Sequence, residues 1–375
     1  MPPWPKIDLP VRPPFAPMEA KLAAKVPTGS QWRYEPKWDG FRVLVFRDGE
    51  GVVLQSKAGL PLGRYFPELE EAARRLPLDR FVLDGEIVVP VPARARSDAE
   101  AGTEDHAAPR AAPHGLSFDD LLLRVHPAES RVRRLAAELP AAVIFFDALV
   151  VDGRSLVARP LDERRAALEE VARRAGFGPA EGPGTFRLCP TSIDPEQGRR
   201  WLGELEGTDA DGVVAKRRDL DYRAGERDGM QKIKRMRTVD CVVGGFRYAS
   251  SGALVGSLLL GLYDDEGTLH HVGFCSTMPR KDKPALTARL EALRRPPGFT
   301  GHAPGGPSRW ATERSTAWEP LDPVLVVEVR YDHWSGGRFR HGTKFLRWRA
   351  DKAPRQCTFE QVEGSSPGEE DGRRA

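Results

Sequence analysis

Apolar and polar positions alternate from Trp32 to Ser56, the two-residue period of strands, with a polar turn at Asp48-Gly49-Glu50-Gly51. Pro67 to Leu76 reads as a short helix, with Leu69 and Ala72/Ala73 on one side. Arg80 to Pro90 reads as a strand interrupted by Asp84-Gly85. Ser117, followed three residues later by Asp120, marks a helix start. Pro127 interrupts this region, and a helix over Ser130 to Glu138 follows. The apolar run Ala142 to Val151 ends at Asp152-Gly153, which predicts a buried strand and a turn. Leu161, Ala166/Ala167, Leu168 and Val171 recur at helical spacing and predict an amphipathic helix over Leu161 to Arg174. A helix over Pro195 to Leu205 and a strand over Gly212 to Lys216 complete the first part.

From Thr238 onward the texture changes to short strands and glycine turns. Val239 to Phe246, Leu254 to Tyr263, Leu269 to Ser276, Val324 to Tyr331 and Gly337 to Arg347 read as five strands, with a helix over Pro284 to Leu293. That count suits a small Greek-key barrel of the OB type. Three stretches lack hydrophobic periodicity. Residues 1–28 are proline-rich and read as an arm or surface strap. Residues 91–115, rich in Ala, Pro, Arg, Ser and acidic residues, read as a mobile insertion. Residues 363–375 read as a flexible tail.

Length supports two domains with cores of their own, since 375 residues at 40% hydrophobic content need no disulfide staples. A net charge of +3 neither demands nor excludes a nucleic-acid partner, because a polyanion binder needs local positive charge. Cys189, Cys241, Cys275 and Cys357 are widely spaced, which argues against a zinc site and for reduced thiols. No signal-peptide pattern opens the chain, and no apolar run approaches the ~20 residues of a membrane span. These features predict a soluble cytoplasmic protein with no membrane association. His270, His271 and His333 lack metal-ligand spacing and read as structural or surface histidines.

The sharpest chemical signal is Glu35-Pro36-Lys37-Trp38-Asp39-Gly40-Phe41-Arg42. Lysine is a nucleophile only as the free amine, so an enzyme must lower its pKa from ~10.4 by neighbouring cations or poor solvation. A lysine at a strand end before a tight Asp-Gly turn is well placed to meet a phosphorus atom, and Arg42 offers a nearby cation. Taken alone, the segment fits a lysine at an edge-strand hairpin equally well. The same chain carries Leu83-Asp84-Gly85-Glu86, Phe145-Phe146-Asp147, Asp211-Gly212-Val213-Val214-Ala215-Lys216, Lys232-Ile233-Lys234 and Arg349-Ala350-Asp351-Lys352, in that order.

This ordered set, spanning Trp32 to Lys352, resembles the covalent nucleotidyltransferases: ATP-dependent DNA ligases, RNA ligases and mRNA capping enzymes. Within that superfamily the chain is most similar to the small two-domain bacterial DNA ligases of the LigC type. Lys232 to Cys241 and Tyr331 to Phe345 carry much of that likeness. The resemblance implies an α+β fold: a nucleotidyltransferase (adenylation) domain of antiparallel sheets with helices over 29–236, then an OB-fold β-barrel over 237–362. It implies nick sealing in duplex DNA through a lysyl-AMP intermediate, in repair or end joining, with ATP and Mg²⁺ or Mn²⁺ as cofactors.

The resemblance also implies roles. Lys37 is the nucleophile. Glu35 accepts a hydrogen bond from the adenine amino group, which favours ATP over GTP. Phe146 stacks on the purine; the residues alone say only that Phe145 and Phe146 face opposite ways. Glu86 holds the ribose or assists the metal, and Asp211 binds the metal, although the family pattern has Glu there. Arg42 and Lys57 face phosphates, as does Arg227, which also counts as a candidate DNA contact. Lys216 joins the ATP-binding set. Lys232 and Lys234 share one strand face and serve the α-phosphate; many ligases have tryptophan just before this pair, where this chain has Met230. Arg349, Asp351 and Lys352 orient the β,γ-phosphates, with a hinge at Arg235 to Val239.

Basic strips with interleaved aromatics, among them Arg338, Arg340, Lys344, Trp334 and Phe339, suit backbone contacts at a nick. The expected partner is nicked duplex DNA, with a DNA end-binding or repair protein as a further candidate, and the expected state is a monomer. Two rivals stand beside this reading: an RNA ligase or capping guanylyltransferase, and a non-catalytic OB-type nucleic-acid binder.

Overall fold

In the computed structural model the chain divides into two units between Lys234 and Arg235. The structure describes residues 4–91, 115–204, 210–250, 252–305 and 317–363. The first unit is built on two sheets. The larger runs Gly178–Pro179, Phe186–Leu188, Ala142–Val151, Arg80–Val88, Phe41–Asp48, Gly51–Ser56 in spatial order, with Arg154–Ser155 paired to Ala142–Val151. The smaller runs Lys21–Ala23, Met230–Lys234, Ala210–Arg217, Trp32–Trp38.

Strand alternation separates two cores. Val43, Val45, Leu83 and Phe145 point into one, beneath the helices Pro67–Arg74 and Leu161–Ala175. Leu44, Phe46, Val82 and Leu149 point into the other. That second core is completed by Ile7, Leu9, Val11 and Met18. The proline-rich arm is therefore a covering layer, anchored by parallel pairing of Lys21–Ala23 to Met230–Lys234. Proline sets its extended conformation, and the apolar residues between the prolines supply buried area, at about 25 cal/mol per Å². Helical or strand periodicity has no purchase on such a segment, so the sequence reads as a strap only.

Most predicted elements form within a residue or two of their expected ends. Ser117 caps the helix Phe118–Arg124 by accepting the Asp120 amide hydrogen at 3.1 Å. Two expectations change. The strand Arg80–Val88 is continuous through Asp84-Gly85, and a bulge against Ala142–Val151 absorbs the irregularity there. The predicted strand Gly337–Arg347 is broken into Arg338–Phe339 and Lys344–Trp348. The former pairs locally with Trp334–Ser335 instead of joining the barrel. The expected insertion falls on residues 92–114, outside the described residues; its ends, Pro90–Val91 and Gly115–Leu116, pair as a short antiparallel stem. The tail 364–375 likewise lies outside them.

In the second unit five strands pair in the order Leu269–Cys275, Val255–Tyr263, Arg237–Tyr248, Val326–Tyr331, Lys344–Trp348. A parallel bridge between Cys275 and Thr343 joins the two ends, with Thr343 donating its amide hydrogen to the Phe274 carbonyl at 3.0 Å. The sheet thus closes into a five-stranded barrel with the helix Lys283–Glu291 inserted between its third and fourth strands, the OB arrangement. Its interior holds Val243, Phe246, Leu260 and Val327, with Cys241, Cys275 and Cys357 as buried free thiols. Among the described residues no helix is long and apolar enough to cross a membrane.

Candidate active site

The first unit contains a cleft lined by side chains of both sheets and by the arm, including Met18, Glu35, Lys37, Arg42, Glu86, Phe146, Lys216 and Lys232. Its geometry follows from strand pairing. Trp32–Trp38 lies antiparallel to Ala210–Arg217, and Val214 sits opposite both Glu35 and Lys232. Between Ala210 and Val213 the register shifts, so two residues, Asp211 and Gly212, oppose the single Lys37. A bulge of this kind re-aims a side chain, and here it aims a carboxylate: Asp211 Oδ1 lies 2.6 Å from Lys37 Nζ and Oδ2 lies 3.4 Å from Lys234 Nζ. Gly212 is required beside it, because a Cβ there would sit 2.1 Å from the Ile233 carbonyl oxygen. Gly40 is required after Lys37 for the same reason, against the carbonyl of Ile87.

A second pair lies deeper. Glu35 Oε2 is 2.6 Å from Lys216 Nζ, and both side chains are about 5% exposed or less. A buried pair of this type contributes little net stability, since desolvation offsets attraction. Glu35 Oε1 is buried with no hydrogen-bond partner. An acceptor left open in a cleft wall suits an incoming N–H donor. Phe146 adjoins the pair: Lys216 Nζ is 4.2 Å and Arg42 Cζ 4.5 Å from its ring centroid. Phe145 packs instead with Phe177 and Phe186 in the core. Trp38, also in the cleft wall, donates its indole N–H to Cys189 Sγ at 3.2 Å.

Arg42 is fixed by a two-point contact with buried Asp84, at 2.5 and 2.6 Å. Asp84 also accepts the Tyr222 hydroxyl hydrogen at 2.6 Å, and Tyr222 Oη accepts the Met18 amide hydrogen at 3.0 Å. The chain Arg42–Asp84–Tyr222–Met18 ties the arm to the cleft. Burial pulls the Arg42 pKa down, but the charge and hydrogen bond of Asp84 outweigh it, so the guanidinium stays charged. Burial pushes Glu86 up to about 7, against the opposing charges of Lys37 and Arg42. Lys232 is pulled below the usual lysine range by burial and by the like charges of Lys37, Lys57 and Lys234.

Most of the sequence-selected residues of this unit therefore meet in one place: Lys37, Glu35, Arg42, Lys57, Glu86, Phe146, Lys216 and Lys232 all line the cleft, and Asp211 and Lys234 reach Lys37 through the bulge contact. Lys57 and Arg227 share a partner that the sequence did not mark: both contact Glu19 of the arm, at 3.0 and 2.9 Å. Their hydrogen bonds and charges, led by the Lys57 bond, hold Glu19 below the usual carboxylate range despite partial burial. Asp84, Tyr222, Met18 and Glu19 are the residues that sequence reasoning missed. Asp84 was in view within Leu83-Asp84-Gly85-Glu86; the others carried no spacing signal. In the second unit Arg349, Asp351 and Lys352 form their own cluster. Arg349 contacts Asp351 at 2.9 Å and Asp240 at 2.8 Å, and Lys352 contacts Asp240 at 3.0 Å.

Comparison with known proteins gives this geometry a family. Residues 17–234 match the ATP dependent DNA ligase domain, and residues 251–352 match the ATP dependent DNA ligase C terminal region. The chain belongs to the ATP-dependent DNA ligases. This ligase is 45% identical over 365 residues to DNA ligase C1 of Mycolicibacterium smegmatis, covering 95% of this chain and 96% of that protein. It is 40% identical over 370 residues to DNA ligase C of Mycobacterium tuberculosis, with the same coverage. A solved Lig E DNA ligase structure shares the fold, with a TM-score of 0.51 at 14% identity, over 89% of the ligase and 99% of that chain.

Proposed function

We propose that this ligase seals nicks in duplex DNA with Lys37 as the residue that carries AMP, and that it serves DNA repair or end joining in the bacterial cytoplasm as a monomer. The observation that carries the assignment is the position of the Lys37 amine: at the wall of a cleft also lined by Arg42, Lys57 and Lys232, and in contact with Asp211. A neutral amine there attacks the α-phosphorus of ATP; the bond to the bridging oxygen breaks and pyrophosphate leaves. AMP then passes to the 5′-phosphate at the nick, and the 3′-hydroxyl displaces it as the strand closes. The covalent intermediate divides one difficult synthesis into easier transfers.

Glu35 would read the adenine amino group through its open Oε1, with Lys216 fixing the carboxylate. Phe146 would bound the purine, Glu86 the ribose, Arg42 a phosphate, and Lys232 and Lys234 the α-phosphate, where paired cations stabilise developing charge. Lys57 and Arg227 would meet phosphates of ATP or DNA by exchanging Glu19 for them. Asp211 and Glu86 offer oxygen donors beside Lys37, and among the described residues no group of three or more His, Cys, Asp or Glu side chains is arranged to hold a metal ion by itself. That set fits Mg²⁺ or Mn²⁺ held by one or two carboxylates plus phosphate oxygens. When bound, the metal would offset triphosphate charge and assist departure of pyrophosphate. Arg349, Asp351 and Lys352 would orient the β,γ-phosphates during self-adenylation. A DNA end-binding or repair protein would be the partner that delivers ends.

The test is sealing of a singly nicked duplex with ATP, alongside NAD, GTP and nicked RNA. Sealing of DNA with ATP alone is expected. Adduct formation from GTP, or sealing confined to RNA, would assign the site to the capping or RNA ligase branch.

A further inference from the structure

The cations at the end of the second unit share one anchor to which the sequence motifs assign no role. Asp240, on the strand Arg237–Tyr248, is 8% exposed. Its Oδ2 accepts from both Arg349 Nη1 at 2.8 Å and Lys352 Nζ at 3.0 Å. Gln361 locks the arrangement: its Oε1 accepts from Lys352 Nζ at 3.1 Å and from the Asp240 amide at 3.4 Å, and its Nε2 donates to the Asp240 carbonyl at 3.2 Å. The Arg349 backbone is held as well, donating to the Val326 carbonyl at 2.9 Å.

The other oxygen, Asp240 Oδ1, is buried with no hydrogen-bond partner. A half-satisfied carboxylate is a poor device for stability alone, because its desolvation is costly. It is a good device for placement. Arginine and lysine side chains are long and rich in rotamers, and a single oxygen that receives both removes that freedom for two charges at once. We infer that Asp240 is a positioning residue for self-adenylation: it sets Arg349 and Lys352 side by side as one two-cation unit for the ATP triphosphate. This inference rests on the proposed role of the tail residues at the β,γ-phosphates.

The experiment compares two rates on the full chain. One is formation of the AMP adduct from ATP in a single turnover. The other is sealing of a nicked duplex whose 5′-phosphate already carries AMP, a substrate that bypasses self-adenylation. Asp240→Asn retains the shape and an acceptor but removes the charge; Asp240→Ala removes both. Adduct formation should fall roughly 10- to 100-fold, more for Ala than for Asn, while sealing of the pre-adenylated nick holds steady. Equal loss in both rates would reduce Asp240 to a structural residue and overturn the inference. Arg349→Ala separates the two levels. If it slows adduct formation and Asp240→Asn does not, the positioning role falls alone. If neither slows it, the reading of the tail falls and takes this one with it.

Discussion

The cleft of the first unit and the Asp240 cluster of the second use the same ingredients, carboxylates set against lysines and arginines, at different degrees of burial. In the cleft, Glu35, Lys216 and Asp84 are nearly inaccessible and their partners come from strands of two sheets. In the cluster, Arg349 and Lys352 are each 19% exposed and Asp351 is 64% exposed. Removing a partner from a buried pair strands a charge and costs about 3–5 kcal/mol, whereas exposed pairs contribute about 0–1 kcal/mol. Mutations of the buried cleft pairs therefore mix folding with chemistry, as would loss of the buried Asp240, whereas mutation of exposed Asp351 mixes them least.

The largest expected effect breaks the pattern usefully. Lys37→Ala should abolish labelling by radioactive ATP, yet keep its folding stability within about 1 kcal/mol, because the Lys37 side chain is 22% exposed and Asp211 retains Lys234. Thermal melts and gel labelling on one preparation check both halves. Glu35→Ala should behave in the opposite way, losing about 3–5 kcal/mol on urea unfolding as Lys216 is left buried and unpaired. A loss below 1 kcal/mol would mean that water reaches this pair and that the cleft is less closed than its geometry indicates.

A smaller effect depends on pH. Burial raises Glu86 from its ordinary value near 4.5 to about 7 in the folded chain. Below pH 4.5 the carboxyl is protonated in both states; between 4.5 and 7 the unfolded chain ionises first, so stability falls as pH rises, and above 7 the loss is complete. Glutamine has no such titration. In metal-free buffer, the stability of Glu86→Gln relative to the native chain should grow by about 3 kcal/mol from pH 4 to pH 8. A constant difference would place Glu86 in solvent. The smallest effect is expected at the exposed rim: Lys57→Ala should change stability by less than about 1 kcal/mol, while reducing the salt slope of nick binding by about one.

The sequence carried the elements whose periodicity was strong and the site residues whose order was diagnostic. Trp32–Ser56, Ala142–Val151 and four of the five barrel strands were legible because alternation or an unbroken apolar run marked them; the fifth forms only over Lys344–Trp348. Phe146 could not be told from Phe145 by alternation alone; only the packing of Phe145 against Phe177 and Phe186 assigns the faces. The arm was legible only as a strap, because proline and scattered apolar residues have no period; that Met18 and Glu19 line the cleft was not. The partners Asp84–Tyr222 and Asp240–Arg349 join positions more than a hundred residues apart. Tyr222 and Arg349 lie in loops outside the strands, so such pairing is set by long-range tertiary packing, which a single sequence does not encode locally.

The most direct test is to treat the native chain with ATP, digest it, and sequence the peptide that carries AMP by tandem mass spectrometry. AMP on the side-chain nitrogen of Lys37 is the predicted result. AMP on another residue, or none at all, would contradict the assignment.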